Sequence, residues 1–324
     1  MRALKLALLI LALVPTVWLR RPAPRDTAVR PLALVDLMSA LLRTGLLPTT
    51  GAPELVGIWQ LSGGLPDSGT LSGLTQSDGE MVAVGDRGAI LRFARPDQPG
   101  VAAIRMGKLI DLDWRKHPHP TDAEAVVVEP ETGDLLVSYE DAPAILRFSA
   151  DLANRTRIPV PAFAAWPDNQ GAEAMARLTD GRTLVIAEGY AKWLDRTLHE
   201  GLIFSGVPQA GAVPVRFKLR MPAGYRPCEL AQMPDGRMLV LGRSFSLVGF
   251  RSVIAVFTPE AVQAGATISP QVLAQIDDPR ISENYEGMTV TREPDGSQAI
   301  WLISDSNQMV WAQRTLLLKL RLKP

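Results

Sequence analysis

Acidic residues recur at one kind of place in this chain. Glu124, Glu173, Glu229 and Glu286 each stand at the head of a short apolar segment that runs into a tight turn. A second short segment then returns to further polar residues: Glu140-Asp141, Glu188-Gly189, Arg243-Ser244 and Asp305. The two segments of a hairpin run antiparallel, so the residue heading the first and the residue closing the second share one end. That pairs Glu124 with Glu140 and Asp141, Glu173 with Glu188, Glu229 with Arg243, and Glu286 with Asp305. Carboxylates gathered in this way repel one another, and must protonate, pair with Arg or bind a cation. Oxygen ligands favour Ca²⁺ or Mg²⁺. The expected ligands are Glu124, Glu173, Glu229, Glu286 and Asp305. A spare carboxylate, Glu188 or Glu140, would serve as base, and Arg87 or Arg243 would steady developing negative charge. The same glutamates can instead accept backbone N–H groups from neighbouring strands and hold the fold together, and sequence does not separate these roles.

The elements that must position these residues repeat. From residue 54 onward the pattern is one of period-2 strands and Asp-Gly or Gly-Asp turns. The turns fall at Asp78-Gly79, Gly133-Asp134, Asp180-Gly181, Asp235-Gly236 and Asp295-Gly296. Aligned on these turns, Gly73, Glu124, Glu173, Glu229 and Glu286 occupy equivalent positions at intervals of roughly 50 residues, the period of a propeller blade. The first copy offers Ser72 and Asp86-Arg87 in place of a glutamate. A third strand follows each hairpin, as in Ala89–Phe93 and Ala144–Phe148, and a fourth usually comes next. The expected fold is all-β: a β-propeller of five four-stranded blades, with six as the alternative count. The last copy lacks an outer strand, which Glu54–Leu61 can supply, closing the ring by pairing the N- and C-terminal strands and removing exposed edges.

Before the repeats, residues 1–21 read as a signal peptide or N-terminal anchor. Arg2 and Lys5 precede an apolar run over residues 6–19, which is short for a bilayer span and could serve as a membrane tether. The chain is therefore expected to be exported. Residues 22–53 form a Pro-rich arm in which Val35, Leu37, Met38, Leu41, Leu42 and Leu46-Leu47 could make one helical face. Residues 54–324 form the propeller domain.

Composition excludes several classes. Thirty-four basic residues balance 34 acidic ones, with no basic run, which argues against nucleic acid as a partner. The single cysteine, Cys228, rules out an internal disulfide and reads as a buried small residue. No Gly-x-Ser-x-Gly elbow and no phosphate-binding glycine loop ahead of a helix occur. His117-Pro118-His119 has Asp122 as its only obvious third ligand and reads as a loop rather than a zinc site.

Several stretches resemble the bacterial phytase-like propeller family named for the esterase-like activity of phytase. They are Gly57-Ile58-Trp59-Gln60-Leu61, Leu71-Ser72-Gly73-Leu74, Gly85-Asp86-Arg87-Gly88, Gly171-Ala172-Glu173-Ala174, Gly224-Tyr225-Arg226-Pro227, Asn284-Tyr285-Glu286-Gly287, Ser304-Asp305-Ser306-Asn307 and Gln313–Leu318. The resemblance runs over residues 54–322. It implies an exported propeller of the bacterial periplasm with phosphoesterase or esterase activity on a small-molecule ester. The calcium-dependent propeller phytases hold Ca²⁺ on acidic residues at the channel mouth. Few Lys and Arg flank these motifs, which does not suit a substrate as heavily phosphorylated as phytate. The alternative is a non-catalytic propeller of the cell envelope that binds a ligand or protein.

Overall fold

The structure is a computed structural model. It describes residues 30–44, 50–51, 53–64, 70–85, 88–99, 103–109, 122–140, 142–167, 170–192, 194–246, 249–307 and 313–322. The apolar run over residues 6–19, Arg87, Asp141 and the His117–His119 pair lie outside these residues. Among the described residues no helix is long and apolar enough to cross a membrane.

Five separate sheets form the described structure. Blade I comprises Gly73–Ser77, Glu80–Gly85, Ala89–Ala94 and Arg105–Lys108. Blade II comprises Ala123–Val128, Leu135–Tyr139, Ala144–Phe148 and Arg155–Pro159. Blade III is Ala172–Arg177, Thr183–Lys192, Asp195–Phe204 and Val215–Arg220, with Thr267–Ile268 added in parallel at its edge. Blade IV is Arg226–Gln232, Met238–Ser246, Gly249–Phe257 and Gln271–Ile276, extended by Thr50–Gly51. Blade V is Asn284–Arg292, Gln298–Asp305, Leu316–Leu322 and Glu54–Gly64, with Arg30–Asp36 outermost. The stretches that would have had to hide a sixth blade are used inside blades III and IV. The first strand of each blade packs against the first strands on either side, and Asn284–Arg292 beside Gly73–Ser77 completes the circle.

Local chemistry explains the hairpins. Gly181, Gly236 and Gly296 take left-handed φ values of 91°, 93° and 83°, which cost glycine little. In each of these turns the preceding aspartate accepts the backbone N–H two residues on: Asp180 from Arg182, Asp235 from Arg237 and Asp295 from Ser297, all at 3.0 Å. Strand alternation then buries one apolar set on each face of a blade, and both faces meet a neighbour. Five hydrophobic clusters result, one at each blade boundary. At the boundary of blades V and I, Trp59 and Trp301 stack with centroids 5.7 Å apart. Each fully buried leucine or valine in these seams contributes about 1.5–3 kcal/mol.

Closure follows the expected route: Leu316–Leu322 pairs antiparallel with Glu54–Gly64. The arm before it differs from the expected helical face. Val35 lies in the strand Arg30–Asp36, and the helix spans only Met38–Leu42. Strand pairing with the edge of blade V outweighs helix propensity here, with Leu32 and Leu34 packed on the Trp59–Trp301 seam. Leu41 is buried in the seam between blades IV and V, whereas Leu42 is exposed.

Candidate functional site

Each first strand begins at the same end of the channel, and its hairpin partner ends there. The chain departs from regular pairing at four of these five beginnings. In blade III, Ala172 pairs with Ala187 and Ala174 with Ile186, leaving Glu173 as an extra residue. In blade V, Tyr285 pairs with Ser304 and Gly287 with Ile303, leaving Glu286. Blade II has a comparable shift between Ala123 and Val126, around Glu124. Blade I pairs regularly, Gly73 with Val84 and Leu74 with Ala83. A β-bulge re-aims the side chain it inserts. Here three bulges turn glutamates toward one mouth.

Blade IV corrects the expected register. Pro227 pairs with Gly242 and Glu229 with Leu241, so the inserted residue is Cys228 and Glu229 lies one position deeper. Glu229 is 1% exposed. Its Oε1 accepts the backbone N–H of Leu230 at 2.9 Å and, across the blade boundary, that of Met175 at 3.3 Å. Burial pushes its carboxyl well above the usual carboxylate range, against the pull of those N–H groups and that of Leu74. Glu229 is thus a tie between first strands rather than a member of the mouth. Cys228 is buried, with its Sγ against the carbonyls of Leu241 and Tyr285, and burial raises its thiol well above the ordinary range.

Two adjoining groups of side chains make up the mouth. The first is acidic: Asp122, Glu124 and Glu140 of blade II place carboxylate oxygens within 4.8 Å of one another. Three hard oxygen donors at that spacing suit Ca²⁺ or Mg²⁺. The second group spans blades III to V. Glu188 lies between two arginines, 3.1 Å from Arg226 Nη1 and 3.1 Å from Arg243 Nη2. Arg243 also pairs with Glu286 and donates to Asn284 Oδ1 at 3.2 Å. Asn284 Nδ2 donates to Glu286 Oε1 at 2.9 Å. Arg226 donates to the Tyr190 hydroxyl at 3.0 Å and covers its ring. Beneath Tyr190, His199 is fully buried, with Nδ1 2.9 Å from the Glu188 carbonyl oxygen, to which it donates. Burial lowers its pKa to about 4, so the ring is neutral.

Glu173 joins the two groups. Burial, followed by repulsion from Glu188, Glu286 and Glu140, holds its carboxyl well above the ordinary range, although Arg243 opposes this. Arg243 stays charged: burial works against it, but its neighbouring carboxylates, Glu286 first and Glu188 with it, more than compensate. Gly171 permits the close approach between blades II and III, since a Cβ there would lie 2.8 Å from the Glu140 carbonyl oxygen.

Of the residues singled out from sequence, Glu124 and Glu140 stand in the acidic triad, Glu140 as a candidate ligand where it was expected as a base, while Glu173, Glu188, Arg243 and Glu286 form the arginine-centred group. Asp305 is buried and caps its own turn, accepting the Asn307 N–H at 2.7 Å. Arg87 lies outside the described residues. Sequence reasoning passed over Asp122 as a ligand beside Glu124 and left Tyr190 and Asn284 unassigned. Asp122 and Glu124 at the head of one strand, facing Glu140 at the end of the next, carried the missing signal.

Fold and site together define a five-bladed β-propeller with an acid-rich channel mouth. The profile of the phytase-like family, described as esterase-like activity of phytase, matches residues 66–308, and the chain belongs to that family. No curated protein matches the sequence. Among solved structures it is similar to a gluconolactonase from Xanthomonas campestris, at 14% identity over 93% of this chain and 99% of that one, TM-score 0.44. It is also similar to a glutaminyl cyclase from Myxococcus xanthus, at 11% identity over 86% and 100%, TM-score 0.46. A calcium structure of a family AA12 carbohydrate-active enzyme from Trichoderma reesei shares 11% identity over 90% and 92%, TM-score 0.43. Likeness at this level carries no activity across to this chain.

Proposed function

We propose that this protein hydrolyses ester bonds, phosphoric or carboxylic, of a small molecule at the acidic mouth, with Ca²⁺ or Mg²⁺ held by Asp122, Glu124 and Glu140. One observation carries the reading: a triad of hard oxygen donors adjoins, through Glu140 and Glu173, a group containing two arginines. When bound, a divalent ion at the triad supplies Lewis-acid polarisation of the ester oxygen and acidifies water.

The chain's own residues supply the rest. Arg226 and Arg243 present positive charge where an anionic oxygen develops, in a setting of reduced dielectric that strengthens it. Glu188 fixes both guanidinium groups, so little reorganisation is needed at the moment of reaction. Glu173 stays protonated at a pH where ordinary carboxylates are ionised, and so can donate its proton to the departing alkoxide. Glu286 and Asn284 hold Arg243 from the far side. This work belongs to an exported protein, released or tethered through residues 6–19.

The test is turnover of a panel of aryl phosphates and carboxylate esters, with and without chelator. Activity is expected to fall with chelator, return with added Ca²⁺ or Mg²⁺, and be largely lost in Glu140→Gln. Turnover indifferent to both chelator and Glu140→Gln would overturn this mechanism. A Ca²⁺-dependent rise in melting temperature with no turnover on the panel would favour a non-catalytic binding propeller instead.

A further inference from the structure

The mouth continues beyond its charged groups. Beside Glu140 a groove of about 250 Å³ runs along the boundary of blades II and III. Tyr139 and Pro143 line it from blade II, and Phe163, Trp166 and Pro167 from the connection into blade III. Glu140 therefore belongs both to the acidic triad and to the groove wall.

The far wall is rigid. Val160 leads into a 3-10 turn over Pro161–Ala165, closed by the Phe163 N–H on Val160 and the Trp166 N–H on Phe163. The two rings stack, with centroids 4.7 Å apart and planes 17° apart. Trp166 Nε1 donates to Glu200 Oε2 at 2.8 Å, which fixes the indole. No Lys, Arg or His is among the described residues that line the groove. Apart from Glu140, the described side chains that line the groove are aromatic, proline or alanine, with Phe163 and Trp166 largely buried; they favour a flat ring and offer no cation to a second phosphate. The groove's volume is below the roughly 300–1,000 Å³ of pockets for drug-sized ligands, which suits a single ring.

We propose that this groove receives the aryl substituent of the ester, so that the preferred substrates are aryl esters rather than polyphosphorylated polyols. The inference rests on the reading of the mouth as an ester-cleaving site. The ester group lies at Glu140 and the triad, and the ring lies between Pro143 and the Phe163–Trp166 stack.

Phenylphosphonate and methylphosphonate test this without turnover, because their P–C bonds are not hydrolysed and their tetrahedral anions resemble a phosphate ester before reaction and the tetrahedral intermediate of a carboxylate ester. Calorimetric titration of the full-length protein in Ca²⁺ is expected to show phenylphosphonate binding at least about tenfold more tightly. Ala164→Phe, which adds a ring at the groove edge, is expected to bring the ratio of the two affinities towards one. Trp166→Phe keeps an aromatic wall and is expected to preserve the preference. Equal affinities in the wild type, no binding of either, or a preference that survives Ala164→Phe would each overturn the proposal. A preference for phenylphosphonate without turnover of any ester would remove the hydrolase reading and leave the groove. Turnover without the preference would remove the groove alone.

Discussion

Two of the charged networks that bridge blades in this disc differ in composition. At the end away from the mouth, Arg95 of blade I and Lys319 of blade V face Asp97 and Glu293, with Lys319 Nζ 2.8 Å from Glu293. Both cations lie over the Trp301 ring at 5.3 Å. Cations match anions, and both acids titrate below their ordinary range: burial would raise them, but hydrogen bonds from Arg95 and Lys319 prevail. At the mouth, Glu173, Glu188 and Glu286 share Arg226 and Arg243, with Glu140 close by, and Glu173 titrates high. A matched set is what a lock between blades needs. An excess of acid works against folding, and is the arrangement expected where a cation or a substrate completes the site.

The largest expected effect is on turnover. Glu173→Gln should lower kcat on aryl esters by about 10²–10⁴-fold, the range for a positioned proton donor. Folding stability should be unchanged or higher, because a repelled carboxyl is removed. A Glu173→Gln protein that keeps its activity but loses stability would reverse the roles assigned to the two networks.

Next in size is the lock itself. Lys319 and Glu293 side chains are 5% and 6% exposed, so Lys319→Met leaves buried acids short of a partner. It should cost about 3–5 kcal/mol in urea unfolding, with kcat per folded molecule retained. A loss below ~1 kcal/mol would show that the pair is screened like a surface ion pair.

Smaller, but of opposite sign, are the pH effects. Asp97 and Glu293 have folded-state pKa values below their unfolded values near about 4. Their contribution is present above the unfolded value and is lost as pH falls through the folded one. For Glu173 the folded-state pKa is raised: stability is full below about 4.3 and is lost as pH rises through the folded value. Urea midpoints measured from about pH 3 to about pH 8 should therefore show a smaller acid-side fall in Glu293→Gln, where Asp97 still contributes, and a smaller fall at higher pH in Glu173→Gln, where Glu229 still does. Parallel profiles in both variants would break the comparison.

Much of this was legible in sequence, for physical reasons. The Asp-Gly turns and period-2 segments marked the hairpins because left-handed φ and an aspartate cap are local demands. The gap after Thr315–Leu320 pointed to Glu54–Leu61 because an unpaired edge must be filled. Register was not legible in the same way. A bulge is one additional residue with no composition of its own, so Glu229 could be aligned with Glu173 and Glu286 although Cys228 holds that place. The strand Arg30–Asp36 was hidden by an apolar pattern that also fits a helix. The Phe163–Trp166 wall arises from a 3-10 turn in a connection, where periodicity is silent.

The most direct measurement is thermal unfolding under increasing Ca²⁺ in three proteins: wild type, Glu140→Gln and Glu293→Gln. Binding to the native state alone raises stability by RT ln(1 + [L]/Kd), about 2.7 kcal/mol at a hundredfold excess over Kd. The melting temperature should climb with Ca²⁺ in the wild type and in Glu293→Gln, each from its own baseline, and stay flat in Glu140→Gln. No rise in the wild type, or an equal rise in all three, would contradict a cation site at the mouth.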